Sequence, residues 1–203
     1  MNSSDKYIVI VVGGPAGCGK TTVGTQLASK FQSPFIEGDS LHSKENIDKM
    51  AHNIPLTDQD RFPWLKEVSK KSCEEALTSK NKISIVTCSM LKRQYRELII
   101  DTYKHNFNSG QGYNIEFIFL FLYTDYESLV KRVTARKGHY MKQDMVKSQY
   151  DIMELVDPIT ENGIALYVEN KTPDQVLQEA LSKLKEKFNL NPAFQIPTLS
   201  ASC

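Results

Sequence analysis

The chain contains no apolar run near the ~18 residues that a membrane-spanning helix requires, so a helical membrane protein is excluded. It has almost no charge bias: 25 lysines and arginines face 24 aspartates and glutamates, a net charge of +1. That balance gives no general attraction to nucleic acid or to an anionic lipid surface, and any anion recognition must come from local basic clusters. Cysteine is sparse. Cys18, Cys73, Cys88 and Cys203 form no CxxC pair, and the four histidines have no zinc-ligand spacing. Internal repeats and low-complexity tracts are absent. The first apolar segment is six residues long and runs straight into a glycine-rich loop, so no secretory leader is expected. These absences point to a soluble protein of the reducing cytoplasm. A length of 203 residues with 40% apolar side chains fits one domain with a sizeable core.

What the chain does contain begins at residue 14. GPAGCGKT, residues 14–21, directly follows the apolar run Tyr7-Ile8-Val9-Ile10-Val11-Val12. Glycines here let main-chain amides close around a phosphate chain without side-chain obstruction. In such a loop Lys20 reaches the β- and γ-phosphates and Thr21 sets its hydroxyl on magnesium. A helix starting near Gly19 adds free amides and a partial positive charge. Cys18 lies inside the loop, where Lys20 and the helix start can depress its thiol pKa and make it sensitive to oxidation; the plainer reading is a small filler residue.

The remaining pattern alternates. Strands are expected at 7–12, 34–36, 83–87, 115–123 and 164–168. Helices are expected at 19–31, 43–50, 62–79 (with Pro63 in its first turn), 91–103, 125–136, 143–154 and 173–187. A polar loop covers 105–114. Strands separated by helices imply a parallel sheet between helical layers. Ligands in such sheets bind beyond the carboxyl ends of the strands, which predicts that Lys20, Asp39 and Ser89 lie near one another. If the phosphate loop serves a kinase, its domain is expected over 1–188, with a substrate segment at about 39–80, a lid at about 133–145, and a separate tail at 189–203.

A phosphate loop specifies a nucleotide and leaves the reaction open. A guanine-binding reading of Asn170-Lys171-Thr172-Pro173-Asp174 has one residue too many; a strand-to-helix turn explains it better. The strands at 83–87 and 115–123 do not end in the carboxylate that a motor ATPase uses. Asp39, following a short strand, can orient or deprotonate an acceptor hydroxyl and help hold magnesium through water, although an aspartate there can equally be a turn residue. Arg61 has a planar fork that suits a carboxylate. His42 and Asn46 are four apart and can share a helix face. Arg132 and Arg136 likewise share a face and can stack on a base and neutralise a transferring phosphoryl group.

Four runs resemble the gluconate kinase family, a branch of the shikimate kinase-like P-loop kinases: GPAGCGKTTVG, EGDSLHSKENIDKMAHNIPLTDQDRFPWL, VTCSMLKRQYRELI and RVTARKGHYM. The likeness spans about residues 7–188. It implies a three-layer α/β P-loop kinase fold with a five-stranded parallel sheet flanked by helices and a lid. It also implies transfer of the ATP γ-phosphoryl group to the 6-hydroxyl of D-gluconate, with Mg2+ as cofactor, feeding the pentose phosphate pathway. By family pattern, Gly14, Pro15, Ala16, Gly17, Cys18, Gly19, Lys20, Thr21 and Thr22 hold phosphate, with Thr21 and Asp39 on the metal side and Arg132 on adenine. Lys20, Asp39 and Arg136 carry the catalytic roles. Asp39, His42, Lys49, Arg61, Ser89, Arg96 and His139 are the implied acceptor contacts, with Lys137 beside His139 in the lid. Shikimate kinases differ in carrying a paired Asp-x-Asp where this chain has Glu37-Gly38-Asp39, and a three-glycine turn where it has Cys88-Ser89-Met90. Many relatives form homodimers. A kinase for another sugar acid or polyol, or a nucleotide-regulated interaction protein, is the alternative reading.

Overall fold

The computed structural model describes residues 6–108, 112–135 and 143–188. Five parallel strands form one sheet in the order β2-β3-β1-β4-β5. They are β1 (Lys6–Gly13), β2 (Phe35–Ile36), β3 (Ile83–Thr87), β4 (Asn114–Tyr123) and β5 (Gly163–Tyr167). Helix α1 (Lys20–Phe31) carries the chain from β1 out to the edge strand β2. A 3-10 turn (Gly38–Leu41), α2 (Lys44–Ala51) and α3 (Asp58–Thr78) bring it back to β3, next to β1. Helix α4 (Arg93–Tyr103) and a π turn (Lys104–Asn108) then lead to β4 on the other side of β1. Helices α5 (Tyr126–Thr134), α6 (Gln143–Asp151) and α7 (Pro173–Phe188) complete the described chain. Because the chain leaves β1 in one direction and returns to its opposite side, the crevice above the end of β1 is left open.

The alternation of side chains along each strand separates two cores. Ile8, Ile10 and Val12 of β1, with Ile118, Leu120 and Leu122 of β4, pack against Val23, Leu27 and Phe31 of α1 and against Leu129, Val146 and Leu177. Val9, Val11, Phe117, Phe119 and Phe121 face the opposite way, onto Trp64, Leu65 and Val68 of α3 and Tyr95 and Ile99 of α4. Ile8 through Val12 are all 0% exposed, as expected of a central parallel strand covered on both faces. Burial of each such side chain stabilises the fold by about 1.5–3 kcal/mol, so this strand forms a rigid base for the loop that follows it.

The observed sheet and the element order match the sequence expectation. Helix α3 begins four residues before the expected position. Thr57 caps it: its Oγ1 accepts the Asp60 N–H, and the Asp60 carboxylate accepts the Thr57 N–H. This reciprocal pair satisfies two donors at the helix start, so Pro63 falls in the second turn and not the first. The polar loop expected at 105–114 begins as helical turn, because the π turn extends α4 to Asn108. Helix α6 ends at Asp151, three residues early. The tail expectation at 189–203 lies outside the described residues.

Candidate active site

The phosphate loop bridges β1 and α1, and its conformation follows from crowding around it. Gly14 has φ 128°, and a Cβ there would sit 2.0 Å from the Leu122 carbonyl oxygen. Only glycine can hold the chain this close to β4 in this conformation. The Gly14 N–H donates to the Ser89 carbonyl oxygen at 3.2 Å, and the Cys88 N–H donates to the Val12 carbonyl oxygen at 3.1 Å. These bonds continue the β1–β3 pairing past the strand ends, so Ser89 is held against the loop. Gly19 is the N-cap of helix α1 and supplies no side-chain cap, and the first turn holds no acidic residue, which leaves its first amides available to an anion. The Lys20 ammonium is folded back onto the loop, donating to the Gly14 and Pro15 carbonyl oxygens at 3.0 Å each.

Asp39 is placed by a clamp on the preceding residue. The Gly38 N–H donates to Thr87 Oγ1 at 3.1 Å, and the Gly38 carbonyl accepts from Trp64 Nε1 at 2.7 Å. Thr87 in turn donates to the Glu37 carboxylate. A Cβ on Gly38 would lie 1.9 Å from the Thr87 carbonyl oxygen, so the turn can seat against β3 only without a side chain. His42 stacks on Trp64 with ring centroids 4.1 Å apart and planes 15° apart, and its Nδ1 meets the Asn46 side-chain amide at 3.3 Å. Burial lowers the His42 pKa to about 4; Arg61 also lowers it, while Asp39 opposes the shift. The imidazole is therefore neutral at pH 7. Arg61 lies beside the Tyr95 ring, with Nη1 3.4 Å from the Tyr95 hydroxyl and 3.9 Å from an Asp58 carboxylate oxygen. Asp58 is itself held by Tyr95 and Lys92, which keep its carboxyl below the usual range.

Lys20, Asp39, His42, Arg61 and Ser89 all line one cleft, with Ala16, Trp64, Met145, Ser148 and Gln149. The expected meeting of Lys20, Asp39 and Ser89 is thus observed. On the other side of the loop, Gly17, Cys18, Gly19, Thr22 and Arg132 line a cavity of about 460 Å³ with Ala135, Val168, Lys171 and Pro173. That size lies within the usual range of small-molecule pockets. Arg132 Nη2 donates to the Val168 carbonyl oxygen at 3.3 Å. Glu169 accepts from Ser128 at 2.8 Å and from Thr124, fixing the end of β5 beside that arginine. Thr21 lies exposed in the first turn of α1.

Two expectations need correction. Arg96 does not reach the cleft: it is 1% exposed and binds Glu161 through Nε–Oε1 at 2.5 Å and Nη2–Oε2 at 3.0 Å. Its Nη1 donates to the Met90 and Glu154 carbonyl oxygens at 3.1 and 3.0 Å. Burial raises the Glu161 carboxyl pKa, but the Arg96 guanidinium, the Asp157 N–H and the charge of Arg93 together outweigh that and hold it below its ordinary value. Cys18 follows the plainer of its two readings. Its thiol pKa is raised because burial outweighs the opposing charge of Lys20, so the filler reading fits and the depressed thiol does not. Lys49, the second expected acceptor contact to be corrected, pairs with Asp60 at 2.6 Å and does not line the cleft. Arg136, Lys137 and His139 lie outside the described residues.

The shikimate kinase family model matches residues 16–185. A probable gluconokinase of Saccharomyces cerevisiae is 39% identical over 188 residues, covering 90% of this chain and 93% of the relative. This chain belongs to the gluconokinase family. A thermosensitive gluconokinase of Escherichia coli is 38% identical over 141 residues, 70% of this chain and 68% of that one. Among solved structures, a gluconokinase from Sinorhizobium meliloti 1021 superposes with a TM-score of 0.69 at 34% identity, covering 90% of this chain and 95% of its own. A sugar kinase from Janibacter sp. HTCC2649 gives 0.73 at 34% identity, with 89% and 95% covered. Two groups at this gluconokinase-family site have contacts that the sequence does not announce. Trp64 reads in sequence as an ordinary core aromatic, and Gln149 as a polar helix residue. Only their distant partners, Gly38 and Ala16, reveal where they act.

Proposed function

We propose that this chain transfers the γ-phosphoryl group of ATP to the 6-hydroxyl of D-gluconate, giving 6-phosphogluconate and ADP. The observation that carries the reading is the convergence of Lys20 and the phosphate loop with Asp39, His42, Arg61 and Ser89 on one cleft, in a chain of the gluconokinase family. Nucleotide phosphates would lie along the loop amides and the start of α1, with the base in the cavity bounded by Arg132 and Pro173. Lys20 would exchange the Gly14 and Pro15 carbonyls for the β- and γ-phosphates, where a fixed positive charge stabilises the charge that develops during transfer.

Asp39 lies opposite the loop, held by the Gly38 clamp, and would orient the acceptor hydroxyl and take its proton. Arg61 would hold the gluconate carboxylate, a match of planar fork to planar anion. His42, uncharged at neutral pH, would hydrogen-bond a hydroxyl of the sugar acid without adding charge. The donor set suits magnesium. The described residues hold no cluster of three or more metal-ligating side chains, and magnesium on a nucleotide needs few, since phosphates and water fill most positions. Thr21 and, through water, Asp39 would hold it. When bound, the ion supplies charge neutralisation between the β- and γ-phosphates.

The reading extends to a homodimer working in the cytoplasm on small molecules, without nucleic-acid or membrane partners. The near-neutral charge gives no general attraction to nucleic acid, and no helix among the described residues is long and apolar enough to cross a membrane. Light scattering in solution tests the dimer. The activity is tested by a coupled ADP-release assay with gluconate, shikimate, glucose and glycerate under saturating Mg-ATP. Gluconate is expected to give by far the highest kcat/KM. Turnover that is independent of any acceptor, or preference for shikimate, would overturn the reading.

A further inference from the structure

Helix α6 reaches the site from a part of the chain remote from both the loop and the Asp39 segment. Met145, Ser148 and Gln149 are spaced i, i+3, i+4 and so share one helix face, and all three line the cleft. Val146, on the adjoining face, is 0% exposed and anchors the helix in the core that contains Val12, Leu129 and Val133. The Tyr150 ring packs on Tyr126 of α5 with centroids 5.5 Å apart. The helix is therefore fixed with Gln149 at the mouth of the phosphate loop. Gln149 Oε1 accepts the Ala16 N–H at 2.8 Å across 133 residues of chain. The orientation of the carboxamide follows from chemistry, because a main-chain N–H can be met only by the oxygen. The NH2 group is thus left as the free end, and no partner for it is found among the described residues. It belongs to a cleft whose walls include Lys20, Asp39, His42, Arg61, Ser89 and Ser148.

Lys20, Asp39 and Arg61 are charged, and His42 is neutral. A polyhydroxy acid offers its carboxylate to the arginine and its reacting hydroxyl to the aspartate. Its remaining hydroxyls still require neutral partners, and a carboxamide donor is well matched to a hydroxyl oxygen. We propose that Gln149 is an acceptor-binding residue: with Oε1 held by Ala16, its NH2 donates to one of the internal hydroxyls of the bound sugar acid. Gln149 thereby joins the phosphate loop to the acceptor through a single planar group, and helps set the register of the carbon chain relative to the phosphate. The inference rests on the reading of this cleft as a gluconate site.

The test compares the parent with Gln149→Met, which keeps the side-chain length and removes both polar ends. Both proteins are assayed with gluconate and with its monodeoxy analogues at carbons 2 to 5. Loss of one hydrogen bond to a neutral group is expected to raise the gluconate KM about 5–10-fold, with the ATP KM within about twofold. One analogue should lose a similar factor in kcat/KM with the parent and little more with the variant, the non-additivity that marks a shared contact. If Gln149→Met does not fold, Gln149→Asn, which withdraws the carboxamide by one methylene, supports the same comparison. An ATP KM that rises as much as the gluconate KM would reduce Gln149 to a prop for the loop and overturn the inference. So would analogues that lose as much with the variant as with the parent. A parent chain with normal turnover isolates that failure to Gln149. A parent without gluconate-dependent turnover would bring down the functional reading and this inference with it.

Discussion

Replacing Arg96 by alanine separates a structural role from a substrate-binding one. Its guanidinium is 1% exposed and makes two bonds to a Glu161 carboxylate that is only 9% exposed, plus two to main-chain carbonyls. Truncation leaves that carboxylate buried without its counter-ion and strips a donor from Met90 and Glu154. Breaking a buried pair from one side costs about 3–5 kcal/mol. Each kcal/mol lowers Tm by about 2–4 °C in a domain of this size, so a drop of roughly 6–20 °C is expected. The assay is thermal and urea unfolding of Arg96→Ala, Glu161→Ala and the double variant, with kinetics at a temperature where each is folded. The double variant should be less destabilised than the sum of the singles, because removing Glu161 relieves the orphaned charge. A Tm within about 2 °C of the parent, joined to a gluconate KM raised tenfold or more, would refute this reasoning and return Arg96 to the acceptor.

Three other perturbations test separate parts of the account. Asp39→Asn should leave the ATP KM nearly unchanged and lower kcat by about 10²-fold or more, the usual scale of a lost general base; turnover close to that of the parent would remove Asp39 from the chemistry. His42 has a folded pKa of about 4 against an ordinary value of 6.5. Between those values the unfolded chain binds the proton more tightly, so the stability His42 contributes is complete above pH 6.5 and is lost as pH falls toward 4. His42→Gln should accordingly show a shallower decline of Tm over that window, and parallel profiles would contradict the shift. Cys18, buried with a raised thiol pKa, should resist thiol reagents at pH 7.5 in the folded protein, read by mass spectrometry of its peptide; rapid labelling that blocks nucleotide binding would revive the reactive thiol.

The phosphate loop and the positions of the strands were legible because each rests on local pattern. A β-branched run such as Ile8–Val12 can be buried on both faces only as a central strand, and the glycines that follow it have little other use in that setting. The Asp39–Leu65 segment was legible through its likeness to a family. Less legible were contacts between residues far apart in sequence. Arg96 sits one helical turn beyond Lys92 and reads like a cation facing the ligand, but its partner Glu161 lies 65 residues away and no spacing announces it. Gln149 was missed for the same reason, since its partner is an amide 133 residues away. The early start of α3 has a local cause: the Thr57–Asp60 capping box starts the helix one turn before the position that Pro63 favours.

The central claim is that the cleft between the phosphate loop and Asp39 holds gluconate with its terminal hydroxyl toward the γ-phosphate. A crystal structure with gluconate and a non-hydrolysable ATP analogue measures this directly. The 6-hydroxyl is predicted to lie about 3–3.5 Å from the γ-phosphorus and within hydrogen-bonding distance of the Asp39 carboxylate, with the gluconate carboxylate on Arg61. Gluconate bound in the opposite sense, with its carboxylate at Asp39, or bound outside the cleft, would contradict the account.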